Sequence, residues 1–138
     1  MKLHHIAIIC SNYERSKKFY TEVLCFTVVA ENYREHNSSM KLDLISALGL
    51  RIELFHFPKV PPRQSYPEGC GARHIAFSVP DLVQTIALLE NHGVTCEPIR
   101  IDPYTAARFT FFADPDGLPL ELYEELNAST NNSQTSAY

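Results

Sequence analysis

The chain has 138 residues, of which 45% are hydrophobic, 11% aromatic and 20% charged, which fits one domain with a buried core and excludes a disordered or fibrous protein. Twelve Lys and Arg against sixteen Asp and Glu give a net charge of −4, without the basic excess that nucleic-acid binding needs. No apolar run reaches the ~18 residues of a membrane span, and the four cysteines form no C-x-x-C pair. The sequence therefore predicts a cytoplasmic protein with reduced, mostly buried thiols and with neither nucleic acid nor membrane as a partner.

The first half of the chain predicts one strand, one helix and three further strands. Residues 5–10 form an apolar strand, and Ser11 and Glu14 have the Ser-x-x-Glu spacing of a helix capping box. The helix that follows has small or apolar residues at three- and four-residue spacing, namely Ser16, Phe19, Tyr20, Val23 and Leu24. Strand-like runs then cover about 26–30, 40–45 and 50–57.

The second half repeats this order of elements. A strand over 74–79 is followed by Asp81 as a helix N-cap, and the residues 91–93 end the helix with a glycine. The apolar residues that the pattern places on the buried side of this helix are Leu82, Val83, Ile86, Ala87 and Leu89. Strand-like runs cover 94–101, 109–112 and 118–124, and the sequence Asp-Pro-Asp-Gly at 114–117 predicts a hairpin turn.

Two segments have the composition of connecting or unfolded chain. The proline-rich residues 58–70 predict an extended linker, and the polar residues 127–138 predict a disordered tail. The predicted organisation is a single domain over 1–126, with a first module at 1–57 and a second module at 71–126.

An internal repeat supports this division. The sequence His-Ile-Ala begins at His5 and again at His74, 69 positions later, while Glu53 in Ile-Glu-Leu and Glu121 in Leu-Glu-Leu are 68 positions apart. Two matches with nearly the same offset indicate a duplicated β-α-β-β-β module. The predicted fold class is therefore α+β with two tandem modules.

The repeated His and Glu residues are candidate metal ligands. Side chains alternate between the two faces of a strand, so His5, Glu53, His74 and Glu121 each lie opposite large aliphatic side chains. A lone buried His or Glu is usually paired within a core, but recurrence of the same pair in register favours one shared metal site. Two imidazoles and two carboxylates suit Ni, Co, Zn, Mn or Fe, and leave positions open for a substrate.

These residues and their spacing resemble the vicinal oxygen chelate superfamily, which has the glyoxalase/bleomycin resistance/dihydroxybiphenyl dioxygenase-like fold. Within it the chain looks most like glyoxalase I, or lactoylglutathione lyase, and its small bacterial relatives. The resemblance implies a curved sheet around one divalent metal ion, with Ni, Co and Zn as the first candidates and Mn and Fe as the alternatives. It implies His5, Glu53, His74 and Glu121 as ligands, Glu121 or Glu53 as the catalytic base, no further cofactor, and a homodimer.

The implied reaction is a lyase or isomerase reaction on a small α-oxo or α-hydroxy carbonyl substrate, through an enediolate. The hemithioacetal of methylglyoxal and glutathione is one candidate. The alternatives are another metalloenzyme of the superfamily, an epimerase or a ring-cleaving dioxygenase, and a small-molecule binding or resistance protein. Glu53 favours the lyase, because the dioxygenases and fosfomycin-resistance proteins generally lack this ligand and the epimerases typically have Gln there. Whether one chain or two supply the site stays open.

Two further expectations concern single residues. An anionic substrate would have Arg51, Arg73, Arg100 and Arg108 as candidate partners. Where the family usually has glycine after the first helix, this chain has Cys25, so a left-handed backbone there would be strained by roughly 1 kcal/mol, unless the helix ends in another way.

Overall fold

The computed structural model describes residues 1–125 and contains two four-stranded sheets with few helices. The prediction of a disordered tail at 127–138 lies outside the described residues. By its contacts the chain divides into two compact units. One consists of Met1–Gly71 with Ala113–Leu118, and the other of Ala72–Phe112 with the residues from Pro119 onward.

The first sheet is built from the first module. Strand β1 (Ile6–Cys10) leads into helix α1 (Tyr13–Lys18), which continues as a π-helical turn, Phe19–Val23. Strands β2 (Thr27–Arg34), β3 (Ser39–Ile45) and β4 (Arg51–His56) follow, with a short 3-10 turn, Glu35–Asn37, after β2. The strand order is β1-β4-β3-β2, and β1 pairs with β4 in parallel while the other pairs are antiparallel.

The second sheet repeats this plan. Strand β5 (Ile75–Val79) precedes helix α2 (Leu82–Asn91), and strands β6 (Arg100–Ile101), β7 (Arg108–Ala113) and β8 (Pro119–Glu124) complete it. The order is β5-β8-β7-β6, with β5 parallel to β8. The predicted α+β fold with two β-α-β-β-β modules is confirmed.

The predicted strand at 94–101 is wrong for most of its length, because only Arg100–Ile101 forms β6. Pro98 has no backbone N–H and interrupts a ladder at that point. Before it the chain is held to β7 by single hydrogen bonds, such as the 2.8 Å bond from the Glu97 N–H to the Phe111 carbonyl. In the first module, β2 extends four residues beyond the predicted end at residue 30, to Arg34.

Each helix begins at a side-chain N-cap, and only the N-cap of α2 is the predicted residue. Asp81 is the N-cap of α2 and accepts the Gln84 N–H at 2.9 Å, which confirms the prediction. The predicted capping box at α1 is wrong, because Asn12 is the N-cap and accepts the Arg15 N–H at 3.0 Å. The backbone N–H of Ser11 is instead bonded to the Asp116 carboxylate at 2.9 Å.

Each sheet buries one face. In β4, Ile52 and Leu54 are fully buried and Glu53 points the other way, and in β8 Leu120 and Leu122 are buried on either side of Glu121. Helix α2 covers its sheet with a narrower stripe than predicted. Leu82 and Leu89 are buried, whereas Val83 and Ala87, next to that stripe, are exposed.

All four cysteines are free, but only Cys10 is buried, while Cys25 and Cys70 are exposed, so the expectation of mostly buried thiols is wrong. Cys25 has φ of 57°, the left-handed conformation that favours glycine. No helix within residues 1–125 has the length and apolar composition needed to cross a membrane.

Candidate metal centre

His5 and Glu53 form a pair on the first sheet, called here the first-module pair. His5 immediately precedes β1, and Ala7, on the same face, lies opposite Glu53 in the parallel β1–β4 ladder. The His5 Nε2 is 3.6 Å from the Glu53 Oε2, and the side chains are 37% and 18% exposed. The other ring nitrogen of His5 is 2.8 Å from Nδ1 of His4. A hydrogen bond there, in which either ring can be the donor, orients the His5 ring.

His74 and Glu121 form the equivalent pair on the second sheet, called here the second-module pair. His74 immediately precedes β5, and Ala76 lies opposite Glu121 in the parallel β5–β8 ladder. The His74 Nε2 is 3.0 Å from the Glu121 Oε2, and the side chains are 28% and 12% exposed. The Nδ1 of His74 is buried and has no hydrogen-bond partner in the described part of the chain.

The donor atoms of both pairs fit a divalent metal ion. Bonds of about 2.1 Å from an ion to imidazole nitrogen and carboxylate oxygen place two neighbouring ligands about 3 to 3.5 Å apart. The second-module pair has this separation at 3.0 Å, and the first-module pair is close to it at 3.6 Å. A mixed nitrogen and oxygen set that is half-buried is typical of sites for first-row divalent metals.

The structure brings the four predicted ligands together as two pairs. Each pair lies within its own compact unit. Within residues 1–125, no group of three or more His, Cys, Asp or Glu side chains has an arrangement that could hold a metal ion. A single site with all four ligands therefore stays a prediction.

Lys41 gives the first-module pair a charged neighbour that the second-module pair lacks within residues 1–125, and it was not predicted as part of the site. Its ammonium group is 2.9 Å from the Glu53 Oε1 and 2.7 Å from the Asp43 Oδ1. Hydrogen bonds to Asp43 and then to Glu53 raise the pKa of Lys41. The alternation of Lys41 and Asp43 with the buried Leu42 and Leu44 is a period-two signal that could have placed both on the face of Glu53.

The second-module pair has aromatic rather than charged neighbours. Phe111 meets the His74 ring edge to face, with 5.2 Å between ring centroids. At the offset of 68 residues that relates Glu53 to Glu121, Phe109 and Phe111 occupy the positions of Lys41 and Asp43. The two modules therefore share the His and Glu residues but differ in what surrounds them.

Comparison with known proteins identifies the family. Residues 2–122 match the family model described as the Glyoxalase/Bleomycin resistance protein/Dioxygenase superfamily. The chain belongs to this superfamily. Because this superfamily includes enzymes and resistance proteins alike, membership leaves the activity open.

Three relatives are similar over almost their whole length. The uncharacterized protein YaeR of Escherichia coli (strain K12) is 57% identical over 124 residues, which cover 90% of this chain and 96% of YaeR. The uncharacterized protein YwkD of Bacillus subtilis (strain 168) is 55% identical over 123 residues, covering 89% and 96%. The crystal structure of the glyoxalase family protein from Enterococcus faecalis has a TM-score of 0.85 and 46% identity, and the match covers 89% of this chain and 97% of that one.

Proposed function

We propose that the chain is a metal-dependent, glyoxalase I-like lyase or isomerase. Its substrate would be a small α-oxo or α-hydroxy carbonyl compound, with the hemithioacetal of methylglyoxal and glutathione as the first candidate. The proposal rests on one observation, the pairing of a histidine with a glutamate at 3.6 Å and 3.0 Å at equivalent positions of two repeated modules. The presence of a glutamate in both pairs favours an enzyme over a binding protein without turnover.

His5, Glu53, His74 and Glu121 would hold one divalent ion, with Ni, Co or Zn preferred over Mn and Fe. When bound, the ion supplies Lewis-acid stabilisation of negative charge on the substrate oxygens, which makes the adjacent C–H more acidic. The pairs would come together within one chain or in a homodimer.

The two glutamates have different roles in this proposal. Glu53 is held by the ammonium group of Lys41 at 2.9 Å, which favours a fixed carboxylate. Glu121 has His74 as its only ion-pair partner within residues 1–125, and no lysine or arginine. Glu121 is therefore assigned as the base that removes a proton from one carbon and returns it to the neighbouring carbon, and Glu53 as the alternative.

The test begins with metal binding by the purified full chain. We expect one equivalent of Ni, Co or Zn per set of four ligands by elemental analysis, and a rise in Tm on adding the ion. His74→Ala should lose both. Glu121→Gln should lower metal binding and reduce turnover by about 10²- to 10⁴-fold, the usual effect of a lost general base. The matched controls are Glu90→Gln on α2 and His92→Ala at the C-cap of α2, which should behave as wild type.

Activity is then measured as lactoylglutathione formation from methylglyoxal and glutathione. If no lactoylglutathione forms, oxygen consumption with catechol-type substrates would favour the dioxygenase, and epimerisation of a substrate would favour the epimerase. Tight ligand binding with no metal content and no metal-dependent Tm shift would contradict the proposal and favour a binding protein.

A further inference from the structure

Arg100 lies over two aromatic rings on the second sheet. The central carbon of its guanidinium group is 5.2 Å from the ring centroid of Phe109 and 5.1 Å from that of Phe111. The two phenyl rings meet edge to face at 6.0 Å, and Phe109 stacks with Tyr123 at 6.4 Å. We refer to Phe109 and Phe111 as the aromatic shelf.

The aromatic shelf lies on the same sheet face as the second-module pair. Tyr123, which stacks on Phe109, is two residues from Glu121 in β8 and so shares its face. Phe111 also touches the ring of His74, with 5.2 Å between centroids. A continuous surface therefore runs from His74 across Phe111 to Arg100.

Arg100 retains hydrogen-bonding capacity on this surface. Within residues 1–125 its one carboxylate partner is Glu97, at 2.6 Å from Nη2, and the two side chains are 50% and 58% exposed. Ion pairs this exposed contribute little and exchange readily. A guanidinium group has five N–H donors in its plane, and stacking on rings uses its face and leaves that plane open.

The first module also has an arginine over an aromatic ring, Arg34 at 5.7 Å from the Phe55 centroid, but it lacks the two phenyl rings at the positions equivalent to the aromatic shelf. Lys41 and Asp43 replace the two phenyl rings there, and Lys41 is already balanced by the carboxylates of Asp43 and Glu53 at 2.7 Å and 2.9 Å. The two copies of the module have therefore diverged at these positions. In the second sheet, the aromatic shelf forms an apolar surface next to the guanidinium group of Arg100. Such a surface suits an organic anion, since a guanidinium group stacked on aromatic rings binds a planar oxyanion through paired N–H donors.

We propose that Arg100 determines substrate specificity by binding an oxyanion at the far end of the chelating substrate, whose carbon chain lies on the aromatic shelf. This inference rests on the proposed function, because the other end of the substrate is held at the metal ligands. The substrate class is thereby narrowed to carbonyl compounds that also carry a carboxylate or a phosphate-type group, separated from the carbonyl by a short apolar chain.

The test uses hydroxamates as probes, since they chelate divalent metals without turnover. Straight-chain probes of three to six carbons are prepared with a carboxylate, a phosphonate or a neutral methyl ester at the far end. Binding to the cobalt-loaded full chain is measured by calorimetry and by the cobalt absorption spectrum. The variants are Arg100→Gln and Arg100→Lys. The matched control is Arg108→Gln, which removes an arginine from the neighbouring strand whose side chain pairs with Glu124 at 2.6 Å.

In the wild type, we expect an anionic probe to bind at least tenfold more tightly than the methyl ester of the same length. Arg100→Gln should abolish that preference without changing the affinity for the ester, Arg100→Lys should restore part of it, and Arg108→Gln should leave it unchanged. The anionic end that gains most identifies the oxyanion.

Equal affinity for charged and neutral probes in the wild type, or a preference that persists in Arg100→Gln, would overturn the inference and leave the metal site intact. If even the ester gives no change in the cobalt spectrum, the proposed function itself is wrong and this inference falls with it.

Discussion

At the scale of single residues, Lys41 makes the two equivalent pairs chemically different. Its ammonium group lies 2.9 Å from Glu53 and 2.7 Å from Asp43, whereas Glu121 has no lysine or arginine partner within the described range 1–125. The first-module pair thus carries an internal cation next to a predicted metal ligand. A divalent ion that binds there has to share Glu53 with this cation or displace it.

Replacing Lys41 by methionine should therefore raise the affinity for divalent metal. Lys41→Met leaves the carboxylates of Asp43 and Glu53 without their cation. Because a unit charge about 4 Å from a bound metal ion changes its binding energy by about 1 kcal/mol or more, we expect the dissociation constant of the metal to fall about tenfold. The measurement is competition for Ni or Zn with a chromophoric chelator.

The control for this change is Lys18→Met, which removes an exposed lysine that is paired at 3.9 Å with Glu22. Its metal affinity should equal that of the wild type. Weaker binding in Lys41→Met would show that Lys41 orients Glu53 for the ion and does not compete with it.

At the scale of elements, the turn between β7 and β8 packs in the same compact unit as α1. Asp114 is 5% exposed and accepts hydrogen bonds from the backbone N–H groups of Asp116 and Leu118 at 2.9 Å and 2.8 Å and from the Tyr20 hydroxyl at 3.1 Å. Burial outweighs these bonds and raises the pKa of Asp114 above its ordinary value of 3.8. Burial next to Asp114 also raises the pKa of Tyr20.

This raised pKa gives a pH dependence of stability with a definite sign. The folded state binds the Asp114 proton more tightly than the unfolded state, so the contribution of Asp114 to stability falls as the pH rises from 3.8 through the raised pKa. Compared with Asp114→Asn, the wild type should lose at most about 1.4 kcal/mol per pH unit across that window.

The measurement is urea unfolding of both proteins between about pH 3.5 and pH 7, because the difference between them cancels the other carboxylates. A pH-independent offset from the altered bond to Tyr20 is expected as well. A difference that changes in the opposite direction with pH would mean that hydrogen bonding to the carboxylate outweighs its burial.

At the scale of the whole molecule, duplication gives each module half of the predicted ligand set. One sheet carries His5 and Glu53 and the other carries His74 and Glu121, each beside a parallel pair of strands. Neither pair alone provides the three or more protein ligands that a catalytic metal usually has. The proposed enzyme therefore requires both modules, from one chain or from two.

Mixed dimers distinguish these arrangements. One variant combines His5→Ala with Glu53→Gln, and the other combines His74→Ala with Glu121→Gln, so each alone should lack the metal. If each site takes its two pairs from different chains, a dimer purified by two different affinity tags should contain about one intact site in place of two. We then expect about half of the wild-type metal content and activity.

If each site is formed within one chain, the mixed dimer should hold no metal and have no activity. Failure to recover any species that carries both tags would contradict the homodimer. Dimers of each variant alone serve as the controls for incomplete loss of binding.

Much of the fold could be predicted because it is encoded locally. The period-two alternation around Glu53 and Glu121 shows which face of each strand is buried, and Asp81 marks the start of α2. Local patterns were misleading where another contact was stronger. Ser11 has the spacing of a capping box, but its bond to Asp116, 105 residues away, leaves Asn12 as the cap.

The sequence by itself determined the order of elements, the repeat and the four candidate ligands, since these depend on spacing along the chain. Only the tertiary structure decided the surroundings of those ligands. Lys41 meets Glu53 across the β3–β4 register, Arg100 reaches Phe111 across β6 and β7, and Tyr20 meets Asp114 from 94 residues away. Such contacts depend on strand register and on packing between distant segments, which no local pattern of residues specifies.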